Sequence, residues 1–467
     1  MEALNNQLLR RYANFIVIRG RRRIGKSRLI EEFSKQYAKK FLFLGLPPTK
    51  GTTNKKQRDE FIRQMEKQGL PAVKNTDWGH IFTALSQAAA HGKVLIVLDE
   101  VSWMGSKDPT FLGKLKTVWD EALEKNNELT LIVASSVSSW IDNNILKSTA
   151  FFGRVDLTLT LKELPIRDCC LFWGSQGKSI SPYEKLKMLS ITGGVPKYLK
   201  AIQPELPVEK NISLLCFREG GLLFNEFDHI FHDLFSKRSG IYKQIVEFLA
   251  AHSSSTQAEI GNAIKHAPDR VFSEYLNDLV TAGFITADFT WNLKTKKISR
   301  LRQYRLSDNY LRFYLKYIHP NRARIISGSF ESKSLFDAVQ WESIMGLQFE
   351  NLVVSNVQEL APYLGIPYSE VLVQGPFFQK RTASHLGCQI DLMIQTRGDA
   401  IYVCEIKFSR NPIGLKIIDD MKRKIDALAL PRHLSCRPVL IHVGEVQKDV
   451  IGEDYFYRVI DWSKLLT

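Results

Sequence analysis

Cysteine is scarce in this chain and follows no pattern. Six residues, at 169, 170, 216, 388, 404 and 436, form no C-x-x-C pair. That spacing indicates neither a disulfide framework nor a zinc knuckle. No apolar run approaches the roughly 20 residues that span a bilayer, and no repeat or low-complexity tract is visible. The first residues carry Glu2 and several amides rather than a basic and then apolar leader. These absences predict a soluble, cytoplasmic protein with no membrane partner. Acidic residues are the other shortage: 49 against 64 lysines and arginines, a net charge of +15. The excess points to polyanionic partners, DNA before RNA, unless it is only a basic solvated surface. With 467 residues the chain is too long for one core and implies two to four domains.

What is present is concentrated near the start. The apolar run 15–18 feeds into Gly20-Arg-Arg-Arg-Ile-Gly25-Lys26-Ser27. This is G-x-x-x-x-G-K-[ST] with a predicted strand before it and a helix after it. The glycines let backbone N–H groups turn inward toward phosphates. Lys26 reaches the β- and γ-phosphates, Ser27 offers a hydroxyl to Mg²⁺, and the helix that follows presents its positive end. Arg23 within this loop and Arg28 just after it are further candidate nucleotide contacts. A second apolar run, 93–98, ends in Asp99-Glu100, at the end of a buried parallel strand where open α/β sheets place their ligands. Asp99 is the candidate Mg²⁺ partner and Glu100 the candidate base for the attacking water. A third run, 129–134, ends in Ser135-Ser136; Ser135 is either a γ-phosphate sensor or the start of a serine-rich loop. Arg154 is either an arginine that stabilises transferring charge, in its own subunit or across an interface, or a surface residue.

The segments 20–27, 98–100, 134–136, 153–154 and Thr192-Gly193-Gly194-Val195-Pro196 together resemble the archaeal-type ATPase family, an AAA-like group of P-loop proteins. The triple arginine inside the loop is a trait of that family. The resemblance runs over essentially the whole chain. It implies ATP and Mg²⁺ as cofactors and an adenine contact at Gly194 and Pro196. The chain departs from the family at its opening, Met1-Glu-Ala-Leu, where relatives carry Gly-Arg-Glu; either the start is trimmed or the base-binding corner is incomplete.

After about residue 205 the chain changes character. Helices are predicted over 241–251, then after the cap at 254–256, then after Asp269 with Val271, Phe272, Tyr275, Leu276 and Leu279 on its apolar face. Strands at 283–287 and 303–306 follow, which makes a winged helix-turn-helix. Lys294, Lys296, Lys297, Arg300, Arg302 and Arg305 crowd the hairpin. The wing either lies along a phosphate backbone or serves as a lid packed on the ATPase domain.

The last third holds a second constellation. Glu350 lies near the apolar face of a predicted helix, Asp391 on one strand, and Glu405 and Lys407 on one face of the next. Asp391 and Glu405 are candidate Mg²⁺ ligands, with Lys407 orienting water or steadying negative charge. This set resembles the PD-(D/E)xK nuclease fold, which the archaeal-type ATPase family carries at its C-terminus. The fold class expected is α/β: a P-loop ATPase over 1–205, a helical and winged-helix region over 206–325, and a restriction-endonuclease-like domain over 326–467. The expected function is an ATPase whose nucleotide state controls a nuclease-like, nucleic-acid-binding region. The alternative is a nucleotide-gated switch, or a winged-helix regulator, that cuts nothing. A protein partner or a homo-oligomer is compatible with either.

Overall fold

The computed structural model describes residues 1–467 apart from 48, 50, 74–76, 106, 236–238, 332–338, 382–385 and 467. The chain divides into two compact units, Met1–Lys162 and Glu163–Thr467.

The first unit is built on five parallel strands in the order β2-β3-β4-β1-β5. In chain order its main elements are β1 (Asn14–Arg19), α1 (Lys26–Ser34), β2 (Lys39–Leu44), α2 (Asn54–Lys67), α3 (Trp78–Ala88), β3 (Val94–Asp99), α4 (Phe111–Glu121), β4 (Leu129–Ser135) and β5 (Leu157–Thr160). β1 is apolar at consecutive positions because both of its faces are covered. Phe15 and Val17 join Phe43, Ile96, Leu98, Leu131 and Val133 in one core, with helix residues Phe61, Trp78, Phe82 and Phe111. Ile16 and Ile18 join Leu95, Val97 and Ile132 on the other side, where Ile30 and Phe33 of α1 close the layer. β1 lies in register between β4 (Ile16 with Ile132) and β5 (Ile16 with Leu157). The carboxyl ends of β1, β3 and β4 are thereby brought together.

In the second unit, α5 (Pro182–Thr192) starts with a proline and a Ser181 hydroxyl that accepts from the Glu184 N–H. Three helices follow further along, α6 (Ser239–Ala251), α7 (Gln257–Ala263) and α8 (Arg270–Thr281). Thr256 and Glu259 form a reciprocal capping box at the start of α7, and Asp269 accepts from the Phe272 N–H at the start of α8. The apolar stripe of α8 is Phe272, Leu276 and Leu279; Val271, expected on that face, is 44% exposed because it falls a residue short of the i, i+4, i+7 row. Next come the antiparallel pair β6 (Ile285–Trp291) and β7 (Ile298–Leu306), and then α9 (Val339–Ser355).

A second sheet closes the chain, in the order β12-β11-β10-β9-β8. Its strands are β8 (Val371–Gln379), β9 (Cys388–Thr396), β10 (Ala400–Phe408), β11 (Ser435–Val443) and β12 (Arg458–Asp461), with α10 (Lys416–Ala427) between β10 and β11. β8, β9 and β10 are antiparallel, whereas β10, β11 and β12 are parallel. Trp291 and Leu293 of the β6–β7 hairpin share one core with Phe377, Ile390, Met393 and Ile401 of this sheet. The Trp291 Nε1–H donates to Gln395 Oε1 at 2.8 Å, and Gln395 Nε2 donates to the Leu293 carbonyl at 3.0 Å. The hairpin thus packs against the sheet of its own unit.

Candidate functional site

The glycine loop of the first unit adopts the backbone its residues allow. Gly20 and Gly25 have φ of +147° and +98°, and Arg23 between them also lies at positive φ. A Cβ at Gly20 would fall 2.5 Å from the Leu161 carbonyl oxygen, so only glycine fits. Lys26 begins α1 and is 6% exposed; its Nζ donates to the carbonyls of Gly20 at 2.8 Å and Arg21 at 3.1 Å. Burial pulls the Lys26 ammonium below its usual range, against the opposing charges of Glu100 and Asp99. The Ser27 hydroxyl donates to Asp99 Oδ2 at 2.9 Å.

Glu100 follows Asp99 in a left-handed backbone conformation, φ +52°, which is costly for a non-glycine residue and common at functional sites. Its Oε2 accepts from the Ser136 N–H at 2.9 Å and the Ser136 hydroxyl at 2.8 Å. Burial raises the Glu100 carboxyl above the usual range, with Lys26 and Ser136 pulling the other way. A hydroxyl touching a carboxylate beside a buried lysine is a hard-oxygen donor set that suits Mg²⁺ and phosphate. Lys26, Ser27, Asp99 and Glu100 therefore come together as the sequence motif implies.

The remaining residues proposed for this site are engaged in other ways. Ser135 is fully buried and donates to the Ser102 hydroxyl at 2.8 Å. The strand-end serine that touches Glu100 is its neighbour, Ser136, one residue off because successive side chains point to opposite faces. Arg28 faces outward and pairs with Glu31 and Glu32 along α1. Arg154 makes a bidentate pair with Asp120 of α4, at 2.6 and 2.9 Å, which holds the Asp120 carboxyl down at about 2. Gly194 and Pro196 belong to the second unit. The Gly194 N–H donates to Glu163 at 2.9 Å, and a Cβ there would meet the Leu164 carbonyl at 2.3 Å. Pro196 opens the helical turn Pro196–Leu199.

In the second unit, the ladder between β9 and β10 ends at Leu392 with Cys404. At the next position, Asp391 Oδ2 takes the Ile406 N–H at 2.9 Å, so a side chain replaces a strand bond and the two strands part. Asp391 and Glu405 meet at this opening. Lys407 Nζ lies 2.8 Å from Glu405 Oε1. A second lysine, missed in the sequence, joins them: Lys424 Nζ of α10 is 2.5 Å from Glu405 Oε2 and 3.5 Å from Asp391 Oδ1. The one local signal is that Lys424 continues the row Ile417–Met421 that α10 buries against the sheet. Burial draws Lys424 down, but the two carboxylates outweigh it and hold its ammonium above the usual range. Asp391 is raised by burial and by the charge of Glu405. Burial, then the charge of Asp391, raises Glu350 to about 6, against Arg305 and Arg312.

Among the described residues no group of three or more His, Cys, Asp or Glu side chains is placed to hold a metal ion. Asp391 and Glu405 meet as a pair, and Glu350 feels the charge of Asp391. The two carboxylates face two ammoniums, which meet the negative charge that a divalent cation would otherwise meet. The basic hairpin is corrected at one position. Lys294, Lys296, Lys297, Arg300 and Arg302 are exposed, but Arg305 is buried and paired with Asp288 at 3.0 Å. No helix among the described residues is long and apolar enough to cross a membrane.

Comparison with known proteins places these features. Residues 1–202 match the family described as an ATPase domain predominantly from Archaea. The match runs past Lys162 into the second unit. A relative from Methanocaldococcus jannaschii, the uncharacterized protein MJECL04, is 26% identical over 440 residues, covering 92% of this chain and 91% of its own. Among solved structures, the Walker-type ATPase PABY2304 of Pyrococcus abyssi is similar at 15% identity and a TM-score of 0.49, over 67% of this chain and 94% of that one. The Aeropyrum pernix ORC2 protein in its ADPNP–ADP complexes is similar at 15% identity and a TM-score of 0.43, over 70% and 93%. The family match over residues 1–202 agrees with the resemblance read from the sequence for the ATPase part.

Proposed function

We propose that this protein is an ATP-binding, Mg²⁺-dependent ATPase whose nucleotide state controls a C-terminal region that handles nucleic acid. The observation that carries this reading is the convergence of Lys26 over the glycine loop, Ser27 on Asp99, and Glu100 on Ser136. Lys26 and the loop N–H groups hold the phosphates, while Ser27 and Asp99 hold the cation. Bound there, Mg²⁺ neutralises phosphate charge. Glu100, made more basic by its burial, orients the attacking water and takes its proton. Arg23 is proposed as a further nucleotide contact, and Arg154 as the arginine that meets transferring charge in its own or a neighbouring subunit. The functional division proposed is an ATPase part to about 205, a winged-helix part to about 325, and a nuclease-like part beyond.

ATP binding and turnover test this reading. Lys26→Ala is expected to lose binding. Glu100→Gln is expected to keep it while turnover falls about 10²–10⁴-fold. Unchanged turnover in Glu100→Gln overturns the assignment.

For the C-terminal region one observation favours a second reading, a nucleotide-gated binding switch without cleavage: Lys407 and Lys424 pair with Glu405, and Lys424 also lies 3.5 Å from Asp391. Circular and linear DNA and RNA, incubated with Mg²⁺ or Mn²⁺ and with or without ATP, separate the two. Cleavage that disappears in Asp391→Ala supports the nuclease. ATP turnover with no cleavage under any condition supports the switch.

A further inference from the structure

We infer that Lys424 is a built-in counter-ion that locks the Asp391–Glu405 pair, so that a divalent cation enters only when this lysine leaves. The inference rests on reading Asp391 and Glu405 as cation-binding carboxylates. Four observations carry it. The β9–β10 ladder stops where these two acids meet, and Asp391 takes the Ile406 N–H as well as facing Lys424. Lys424 bridges both acids, while Lys407 contacts Glu405 from its own strand. The Glu405 side chain is 2% exposed, so water contributes little to its solvation and an internal cation is required. Lys424 sits on the core-facing row of α10, whose backbone Ile417, Ile418 and Met421 fix against the sheet.

Removing one ammonium from a cluster of two carboxylates and two lysines leaves a net negative charge. A small divalent ion meets that charge with two carboxylate groups, whereas the wild-type cluster is already neutral. Lys424 is long and flexible, and its side chain is 28% exposed. It is thus able to swing outward while α10 stays packed, and a phosphodiester arriving with its own charge offers it a place to go.

The test counts bound Mn²⁺ by the loss of its free electron-paramagnetic signal, using nucleotide-free full-length protein. Wild type, Lys424→Met, Lys424→Gln and Lys424→Arg are compared, each with and without Asp391→Asn. Lys424→Met is expected to bind Mn²⁺ at least about tenfold more tightly than wild type, with Lys424→Gln also gaining and Lys424→Arg unchanged. Asp391→Asn is expected to cancel the gain. If Asp391→Asn weakens Mn²⁺ binding but Lys424→Met and Lys424→Gln leave it unchanged, the lock fails and the cation site stands. If Asp391→Asn changes nothing in any background, the reading of the carboxylates fails, and the lock with it. Circular dichroism of Lys424→Gln, the variant closest in shape, separates loss of fold from loss of binding.

Discussion

Gln64 satisfies both backbone groups of Leu44 with one side chain: its Oε1 accepts from the Leu44 N–H at 2.8 Å, and its Nε2 donates to the Leu44 carbonyl at 3.0 Å. Gln68 does the same for Leu42, and Gln57 for Leu46. Positions 57, 64 and 68 fall on one face of a helix, and positions 46, 44 and 42 on one side of a strand, so the three amides form a ladder along the edge of the sheet. β2 is an edge strand, and Leu42 and Leu44 are 40% and 54% exposed. An apolar edge of that kind invites pairing with another chain, and the glutamines occupy it.

Gln64→Leu is therefore expected to cost about 1 kcal/mol for each hydrogen bond removed, and to expose the Leu44 N–H and carbonyl. Urea unfolding measures the first effect. Light scattering across a concentration series measures the second, where self-association in Gln64→Leu but not in wild type is the expected result. A monomeric variant of unchanged stability removes this role from the ladder.

Ser136 grips Glu100 by its backbone N–H and by its hydroxyl, and only the hydroxyl is lost in Ser136→Ala. One anchor out of two remains, so nucleotide affinity should stay the same while turnover drops about tenfold, about 1.4 kcal/mol in the barrier. Equal losses in affinity and turnover would place Ser136 in binding instead. Steady-state kinetics together with equilibrium nucleotide binding distinguish the two.

Much of the first unit was legible in the sequence because its signals are local. The apolar runs of β1, β3 and β4 are continuous, since helices cover both faces, and Gly20, Gly25, Lys26 and Ser27 are fixed by loop geometry. Ser136 was not legible, because choosing it over Ser135 depends on which face of β4 each one meets. Lys424 was missed for a related reason: it comes from a helix 17 residues after Lys407 and meets Asp391 only through the packing of α10. Arg305 was misread as part of the basic wing because nothing in the hairpin's own sequence reveals that Asp288 and Asn351 surround it.

Glu350 gives a pH signature. Its carboxyl is raised to about 6 by burial and by the charge of Asp391, with Arg305 and Arg312 opposing and Asp288 adding. The unfolded value is about 4.3, so between these two pH values the native state holds more protons than the unfolded state, and stability falls as pH rises. Above pH 6 the ionised group costs about 2 kcal/mol. Glu350→Gln removes the titrating group. The variant should be more stable than wild type above pH 6, with the difference closing below about pH 4. Denaturant midpoints at pH 4, 5, 6 and 7.5 read this directly, and a difference that does not vary with pH rejects it.

The arginines of the hairpin should separate into two classes. Arg305 is 7% exposed, pairs with Asp288 and donates to Asn351. Arg305→Ala leaves Asp288 without its partner in a largely buried place, so a destabilisation of about 3–5 kcal/mol is expected. Arg300 and Arg302 on the same strand are exposed. Their replacement by alanine should hardly affect unfolding. If the hairpin lies along a phosphate backbone, the same pair should weaken nucleic-acid binding and lower the slope of log affinity against log salt by about 0.9 for each phosphate no longer neutralised. Fluorescence anisotropy with a labelled duplex at several salt concentrations measures that slope. Unchanged affinity and slope in the Arg300→Ala/Arg302→Ala protein would remove these two side chains from any nucleic-acid interface.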